Sequence, residues 1–341
     1  MAVDFKQLPG PLRKRVRDIA GFCKTRDIDL YLVGGCVRDL LLGRQTFDID
    51  VVCPAPAVSA AREFAAREHL DVTTHDRFGT ATLFYHDGTY IDWVTARKER
   101  YDRPGALPEV EPSSLEEDLF RRDFTLNAVA ASLAPGAEGE LVDPYDGQKD
   151  LRAGVLRVLH GESFRDDPTR ILRGVRFAQR FDFNFSPETR ELAVCALAEG
   201  VWRTVSGPRY FQECLRFCSE PSPLSCFRGL ARLAAGGMLP DGEQVDLNMM
   251  AALERSLSSD GAWQAVPAEV RVRQFALTFF LGMTEDVRQK YLLEFQAGRD
   301  LKRLITQAEQ CLDGDPGGLT ERTLSCDPAV YDLIAHVVKN D

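Results

Sequence analysis

Over roughly the first 150 residues, short apolar runs alternate with helical periods; afterwards the helical periods continue alone. "DLYLVGG" (29–35) and "DIDVVC" (48–53) carry strand patterns and bracket a helix predicted over "CVRDLLLG" (36–43). "TATLFYHDGTYIDWVTA" (80–96) predicts a hairpin turning at "HDGT", and "LVDPYDG" (141–147) a last strand and turn. The sequence therefore opens with an α+β or α/β head. Past Asp150, helical spacing dominates "DPTRILRGVRFAQRF" (167–181), "SPETRELAVCALAEG" (186–200), "PRYFQECLRFC" (208–218) and "DVRQKYLLEFQAGRDLKRLITQAEQCL" (286–312), with Ser, Pro or Asp near the helix starts. Breaks are expected at 219–225, 239–244 and 313–318.

A chain of 341 residues exceeds one ordinary core, so two or more domains are expected. With 44% apolar and 28% charged residues it reads as soluble and globular. No apolar stretch reaches the roughly 18 residues of a membrane span, and "MAVDFKQLPGPLRKR" lacks the apolar core of a signal peptide, so the expected location is the cytoplasm. Nine cysteines without a C-x-x-C pair support neither a zinc site nor a disulfide framework. A net charge of −10 argues against indiscriminate coating of nucleic acid, which needs Lys and Arg to neutralise phosphates. A local basic face stays open at "RKRVR" (13–17), preferably read as the solvated side of an opening helix, and at the arginines 165, 170, 173, 176 and 180.

Three constellations carry candidate chemistry. In a strand, "DID" sends Asp48 and Asp50 to one side and Ile49 to the other, and two carboxylates on one face suit a hard divalent ion such as Mg²⁺. Upstream, Gly34-Gly35 closes a strand and opens a helix whose N–H groups can hold phosphate, with Arg38 one turn in as a bidentate donor. A nucleotide triphosphate beside a metal fits this set; solvated aspartates, or the metal motif of a sugar transferase, fit "DID" alone. Asp92 on the next strand is either a further carboxylate or an edge aspartate.

In "EEDLFRRDFTLNAVA" (116–130), a helix would make Asp123 and Asn127 neighbours and bury Phe124, Ala128 and Ala131. Arg122 can hold a triphosphate and Asn127 position it or a loop; alternatively the arginines form ordinary salt bridges with Glu116, Glu117 and Asp118. The preceding "RPGALPEVEPSSLEED" (103–118) has three prolines and few large apolar residues, and is expected to be a mobile loop.

In "FRDDPTRILRGVRFAQRF" (164–181), Asp167 and Pro168 suit a helix start. Steps of three let Asp167, Arg170 and Arg173 share a site, whereas the drift of about 60° per step turns Arg176 elsewhere. A carboxylate accepts from an exocyclic amino group and a guanidinium donates to a bare ring nitrogen. Asp167 with Arg170 could thus admit ATP and CTP and reject GTP and UTP; a surface helix with i, i+3 salt bridges is the plainer alternative.

Together "LVGGCVRDLLLG…DID", "EEDLFRRDFTLNA", "DPYDGQKDL" and "FRDDPTRILRGVRFA" resemble the class II tRNA nucleotidyltransferase and bacterial poly(A) polymerase family, over residues 28–185. The resemblance implies an α+β fold, with a nucleotidyltransferase head built on a small mixed β-sheet (1–150) followed by an all-α neck (151–220), body and tail (221–341). It implies Asp48 and Asp50 as catalytic ligands of two Mg²⁺ ions. Gly34, Gly35, Arg38, Arg122 and Asn127 fall at or beside its nucleotide-binding positions, Asp167 and Arg170 match its base-reading pair, and Arg173 and Arg176 match further nucleotide contacts. One departure is Asp166, where the family usually has Glu. The implied reaction is attack of a tRNA 3′-hydroxyl on the α-phosphate of ATP or CTP, without DNA or membrane. A short, acidic chain favours a tRNA 3′-end enzyme over a poly(A) polymerase, and an unshortened 97–119 loop favours competence to add A. CC-only and A-only addition, a glycosyltransferase and a silent RNA-binding module remain the alternatives.

Overall fold

The structure, a computed structural model, describes residues 2–235, 237–259, 266–312, 330 and 333. The described residues of 1–103, 107–163 and 184–189 form one compact unit, and those of 104–106, 164–183 and 190–341 form a second. The first unit thus runs past residue 150.

The first unit contains β1 (Tyr31–Val33), β2 (Asp50–Cys53), β3 (Asp71–His75), β4 (Thr80–Phe84), β5 (Tyr90–Thr95), β6 (Arg97–Arg100), β7 (Glu109–Pro112), β8 (Ala130–Ser132) and β9 (Leu141–Val142). Its helices are α1 (Gly10–Lys24), α2 (Gly35–Leu41), α3 (Ala57–Glu68), α4 (Leu115–Phe120) and α5 (Gly147–Ala153). Seven strands form one sheet in the order β3-β4-β5-β2-β1-β8-β9, with β2 and β5 parallel and the other pairs antiparallel. The mixed sheet is as expected. The β4–β5 hairpin turns where "HDGT" predicts, with the Tyr85 N–H bonded to Thr89 O at 2.9 Å.

Strand alternation divides the unit into two layers. Leu32, Val51, Ile91 and Trp93 pack with Phe22 of α1, Val37 of α2 and Phe64 of α3, where Phe22, Phe64 and Trp93 meet edge to face. On the other face Val33 and Val52 pack with Leu119 and Ala128 in a smaller cluster.

Two expectations change here. The 103–118 segment is not an unstructured loop, because β6 and β7 pair as a two-stranded ribbon. Charge pairs in register compensate for its lack of apolar residues: Lys98 faces Glu111 at 3.0 Å and Arg100 faces Glu109 at 3.2 Å. Nor is 116–130 one helix. α4 ends at Phe120 and a single 3₁₀ turn covers Thr125–Asn127. Asn127 still meets Asp123, donating through Nδ2 to Oδ1 at 2.8 Å, and Phe124, Ala128 and Ala131 are buried as expected.

A parallel pair, β10 (Val155–Leu156) with β11 (Asn184–Phe185), completes the strands. The remaining helices are α6 (Ser163–Asp166), α7 (Thr169–Phe181), α8 (Pro187–Ala198), α9 (Gly207–Cys218), α10 (Pro223–Leu233), α11 (Asn248–Ser259), α12 (Ala268–Leu281), α13 (Glu285–Glu294) and α14 (Arg299–Leu312). Breaks at 219–222 and 239–244 fall where proline and glycine mark them, whereas 313–318 lies outside the described residues. The single stretch read over 286–312 is two helices, interrupted where Gln296 takes a φ of 51°. Within the second unit an aromatic core joins Phe211 and Phe295, stacked at 5.3 Å, to Tyr210 and Phe280.

Candidate active site

The parallel register of β2 and β5 sets Asp50 beside Asp92. Both share parity with Val52 and Val94, so they project from the sheet face opposite Val51 and Trp93. Asp48 lies two residues before β2 begins, not within a strand running from 48, and is exposed. The Tyr90 hydroxyl donates to its Oδ1 at 3.1 Å, while the Thr82 hydroxyl donates to Asp92 Oδ1 at 2.6 Å. Ile49 between the two acids is buried, as the alternation predicts.

Gly34 joins β1 to α2 with φ 69° and ψ −134°. A Cβ built there would stand 2.9 Å from Nη1 of Arg122 and 3.9 Å from Oδ2 of Asp50. The glycine thus serves twice, in a backbone that side chains rarely adopt and in letting the Arg122 guanidinium approach the turn. Arg122 donates through Nη2 to Asp118 Oδ2 at 2.8 Å. Arg121 forks onto Asp118 Oδ1 at 2.9 and 2.7 Å and reaches Glu99 at 3.0 Å, which also accepts from Arg97 at 3.0 Å. Burial works against a charge on Asp118, yet Arg122 and Arg121 hold its carboxyl below the usual range.

Arg38 does not extend to solvent. It is buried, donating through Nε to Asp39 Oδ1 and through Nη1 to Asn127 Oδ1, both at 2.9 Å. Arg38, Asn127 and Asp123 thus form one hydrogen-bonded chain that ties α2 to the turn after Arg122.

Among the site's acids, Asp50 has a carboxyl shifted upward. Burial pushes its carboxyl up to about 6; Arg122 opposes that shift, while the negative charges of Asp92 and Asp48 add to it. Burial is the main cause, and Asp50, Asp92 and Asp48 bring carboxylate oxygens to one site, the donor type that Mg²⁺ prefers. Among the described residues no three His, Cys, Asp or Glu side chains are grouped so that they could hold a metal ion by themselves. An ion held by two of these acids would take its other ligands from water and phosphate, the habit of Mg²⁺ at nucleotides.

In the second unit, Asp167 sits at the start of α7. Its Oδ1 accepts from the Thr169 N–H at 3.1 Å, the Thr169 hydroxyl at 2.6 Å and Arg209 Nη2 at 2.9 Å. The helix begins at Thr169 with Pro168 at the cap position, so Asp167 lies one residue before the cap expected of it and bonds Thr169 from there. Arg170 is buried and Arg173 half-buried. Arg176 is buried against Glu220 at 3.4 Å and Glu213 at 3.9 Å, the separate direction that its angular drift predicts.

A family model described as the poly A polymerase head domain matches residues 30–157. The A-adding tRNA nucleotidyltransferase of Halalkalibacterium halodurans is 42% identical over 209 residues, 60% of this chain and 49% of that protein. The CC-adding tRNA nucleotidyltransferase of Deinococcus radiodurans is 38% identical over 214 residues, 63% of this chain and 56% of that protein. A solved CCA-adding enzyme in complex with ATP superposes with a TM-score of 0.75 at 34% identity, covering 96% of this chain and 77% of that one. The chain belongs to the tRNA nucleotidyltransferase and poly(A) polymerase family. It spans about half the length of the two curated relatives named here.

In this tRNA nucleotidyltransferase relative, residue patterns undervalued several supporting groups. Asp118 reads in the sequence as an ordinary salt-bridge partner; it is fully buried and fixes both Arg121 and Arg122. Its position three and four residues before the two arginines is the signal that was available. Tyr90 and Thr82 become visible only through strand pairing, and Arg209, 42 residues from Asp167, only through the tertiary fold.

Proposed function

We propose that the protein adds C and/or A to the 3′ end of tRNA from CTP and ATP, releasing pyrophosphate. The observation that carries this reading is the convergence of Asp50, paired with Asp92, on the Gly34 turn and the Arg122 guanidinium. Asp48 and Asp50 are the proposed ligands of Mg²⁺. When bound, Mg²⁺ supplies the charge that acidifies the RNA 3′-hydroxyl and neutralises the departing pyrophosphate. Gly34 and Gly35 keep the turn clear of side chains so that phosphates approach the backbone. Arg122, anchored by Asp118, lies ready to donate to the triphosphate, and Arg38 with Asn127 braces the turn. Asp167 and Arg170 read the amino group and bare nitrogen shared by adenine and cytosine, with Arg173 one turn further along α7; Arg176, turned to Glu220 and Glu213, braces the helix instead of meeting the nucleotide. A cytoplasmic location goes with this tRNA-processing role.

Competence to add A is supported by the unshortened 97–119 segment, which carries the β6–β7 ribbon. The test uses three tRNA transcripts, ending at the position before CCA, after the first C and after the second. Each is incubated with Mg²⁺ and one labelled nucleoside triphosphate at a time. Incorporation of A, of C or of both is the expected result and defines the added sequence. Absence of incorporation from every triphosphate, or incorporation of UMP and GMP at equal rates, contradicts the proposal.

A further inference from the structure

We infer that Arg209 is a positioning residue for base selection, holding the Asp167 carboxylate so that one oxygen is saturated and the other left for the incoming base. The inference rests on Asp167 being the base-reading acid. Oδ1 of Asp167 already accepts three hydrogen bonds, from the Thr169 N–H, the Thr169 hydroxyl and Arg209 Nη2. Among the described residues no hydrogen bond reaches Oδ2. A carboxylate offers about four acceptor positions on two oxygens, and crowding three donors on one oxygen leaves the second with its lone pairs free. That asymmetry suits a partner that brings one N–H, such as an exocyclic amino group. It penalises a carbonyl, which would set one acceptor against another.

Arg209 is itself fixed from a second side. Its Nη1 donates to the Gly105 carbonyl at 2.7 Å. Gly105 has φ +68°, and a Cβ there would come 2.7 Å from the Thr204 carbonyl oxygen, so this piece of backbone is closely seated. The Gly105 N–H in turn donates to the Arg165 carbonyl at 3.0 Å. A planar guanidinium held at both nitrogens has one orientation, and through it so does the carboxylate; an ammonium on a flexible stem cannot reproduce this two-point grip. Nothing local in the sequence joins positions 105, 167 and 209, whereas α9 carries Arg209 to the start of α7 in the folded unit.

The test compares wild type, Arg209→Ala, Arg209→Lys and Asp167→Ala in single-nucleotide addition to a tRNA lacking its 3′ end. The readout is the ratio of kcat/KM for the preferred triphosphate to that for GTP and UTP, with thermal unfolding measured in parallel. Asp167→Ala should collapse the ratio. Arg209→Ala should lower it about tenfold, chiefly through a raised KM for the preferred triphosphate, and Arg209→Lys should recover only part of the loss. Arg209 is partly exposed, so Arg209→Ala is expected to fold. If Asp167→Ala collapses the ratio while both Arg209 variants keep the wild-type value, whatever their unfolding temperature, positioning by Arg209 is wrong and base reading by Asp167 stands. If Asp167→Ala keeps the ratio, base reading by Asp167 is wrong and the inference falls with it.

Discussion

Asp50 and Asp92 occupy directly paired positions of the parallel strands β2 and β5, so two carboxylates project side by side from the same sheet face. An apolar core would not tolerate this pairing, and its consequences can be measured apart from catalysis.

The first consequence is a pH-dependent cost of the metal-free fold. Burial, offset by Arg122 and reinforced by Asp92 and Asp48, raises the Asp50 carboxyl from 3.8 to about 6. The folded state therefore holds this proton more tightly than the unfolded chain does. The stability it contributes is fully present below about pH 4 and lost as the pH rises through about 6. Without divalent metal, Asp50→Asn should gain on the order of 2 kcal/mol relative to wild type between pH 4 and pH 8, measured by urea unfolding. Mg²⁺ added at pH 8 should stabilise wild type and leave Asp50→Asn nearly unchanged. A difference that does not vary with pH would remove this account of Asp50.

A second prediction concerns Asp118, whose side chain is fully buried between two guanidinium groups. Asp118→Ala removes the acceptor that holds Arg122 and one of the acceptors of Arg121, which keeps Glu99, and should cost about 3–5 kcal/mol in chemical denaturation, with loss of nucleotide binding. The exposed pair Lys98–Glu111 is the contrast, and Glu111→Ala should cost less than about 1 kcal/mol. Equal effects of the two substitutions would contradict the division between an anchoring and a surface ion pair.

Two glycines with nearly the same positive φ separate strain from steric displacement. Gly34 has φ +69° with Arg122 Nη1 against its missing Cβ, and Gly43 has φ +66° with open space around it. Alanine at either should cost about 1–2 kcal/mol of stability through backbone strain. Only Gly34→Ala should also lower kcat/KM for the nucleotide, by about tenfold or more, because it displaces Arg122. Similar kinetics for the two variants would show that the Gly34–Arg122 approach is not used.

The parts legible in the sequence are those written in local patterns. Period-two runs mark β1, β4 and β5, the turn residues 86–89 fix the hairpin, and the start of α7 is signalled by Asp167-Pro168. Features determined by partners distant in the chain were not legible. β2 starts at Asp50 because its register is set by β5, which leaves Asp48 outside the strand and tethered by Tyr90. The β6–β7 ribbon has cross-strand charge pairs where apolar alternation would advertise a strand, so its prolines read as a loop. Arg38 is a plausible phosphate donor by spacing, yet Asp39 and Asn127 occupy its nitrogens inside the fold.

That inward position yields a fourth prediction. Arg38→Lys keeps the charge but cannot bond Asp39 and Asn127 in one plane, so it should lower stability by about 1–3 kcal/mol. Asn127→Ala should act in the same direction, and the double variant should cost less than the sum of the two, because they share one hydrogen bond. Additive losses would mean that the two side chains stabilise the turn independently.

The central claim is that the paired acids of β2 and its approach hold the divalent metal that drives nucleotide transfer. It is tested most directly by the rate of single-nucleotide incorporation into a tRNA lacking its 3′ end, at saturating triphosphate and Mg²⁺, for wild type and Asp50→Asn, with tRNA binding measured on the same preparations. The account predicts a fall of about a thousandfold or more in rate with tRNA affinity retained. A rate within a few-fold of wild type would contradict it.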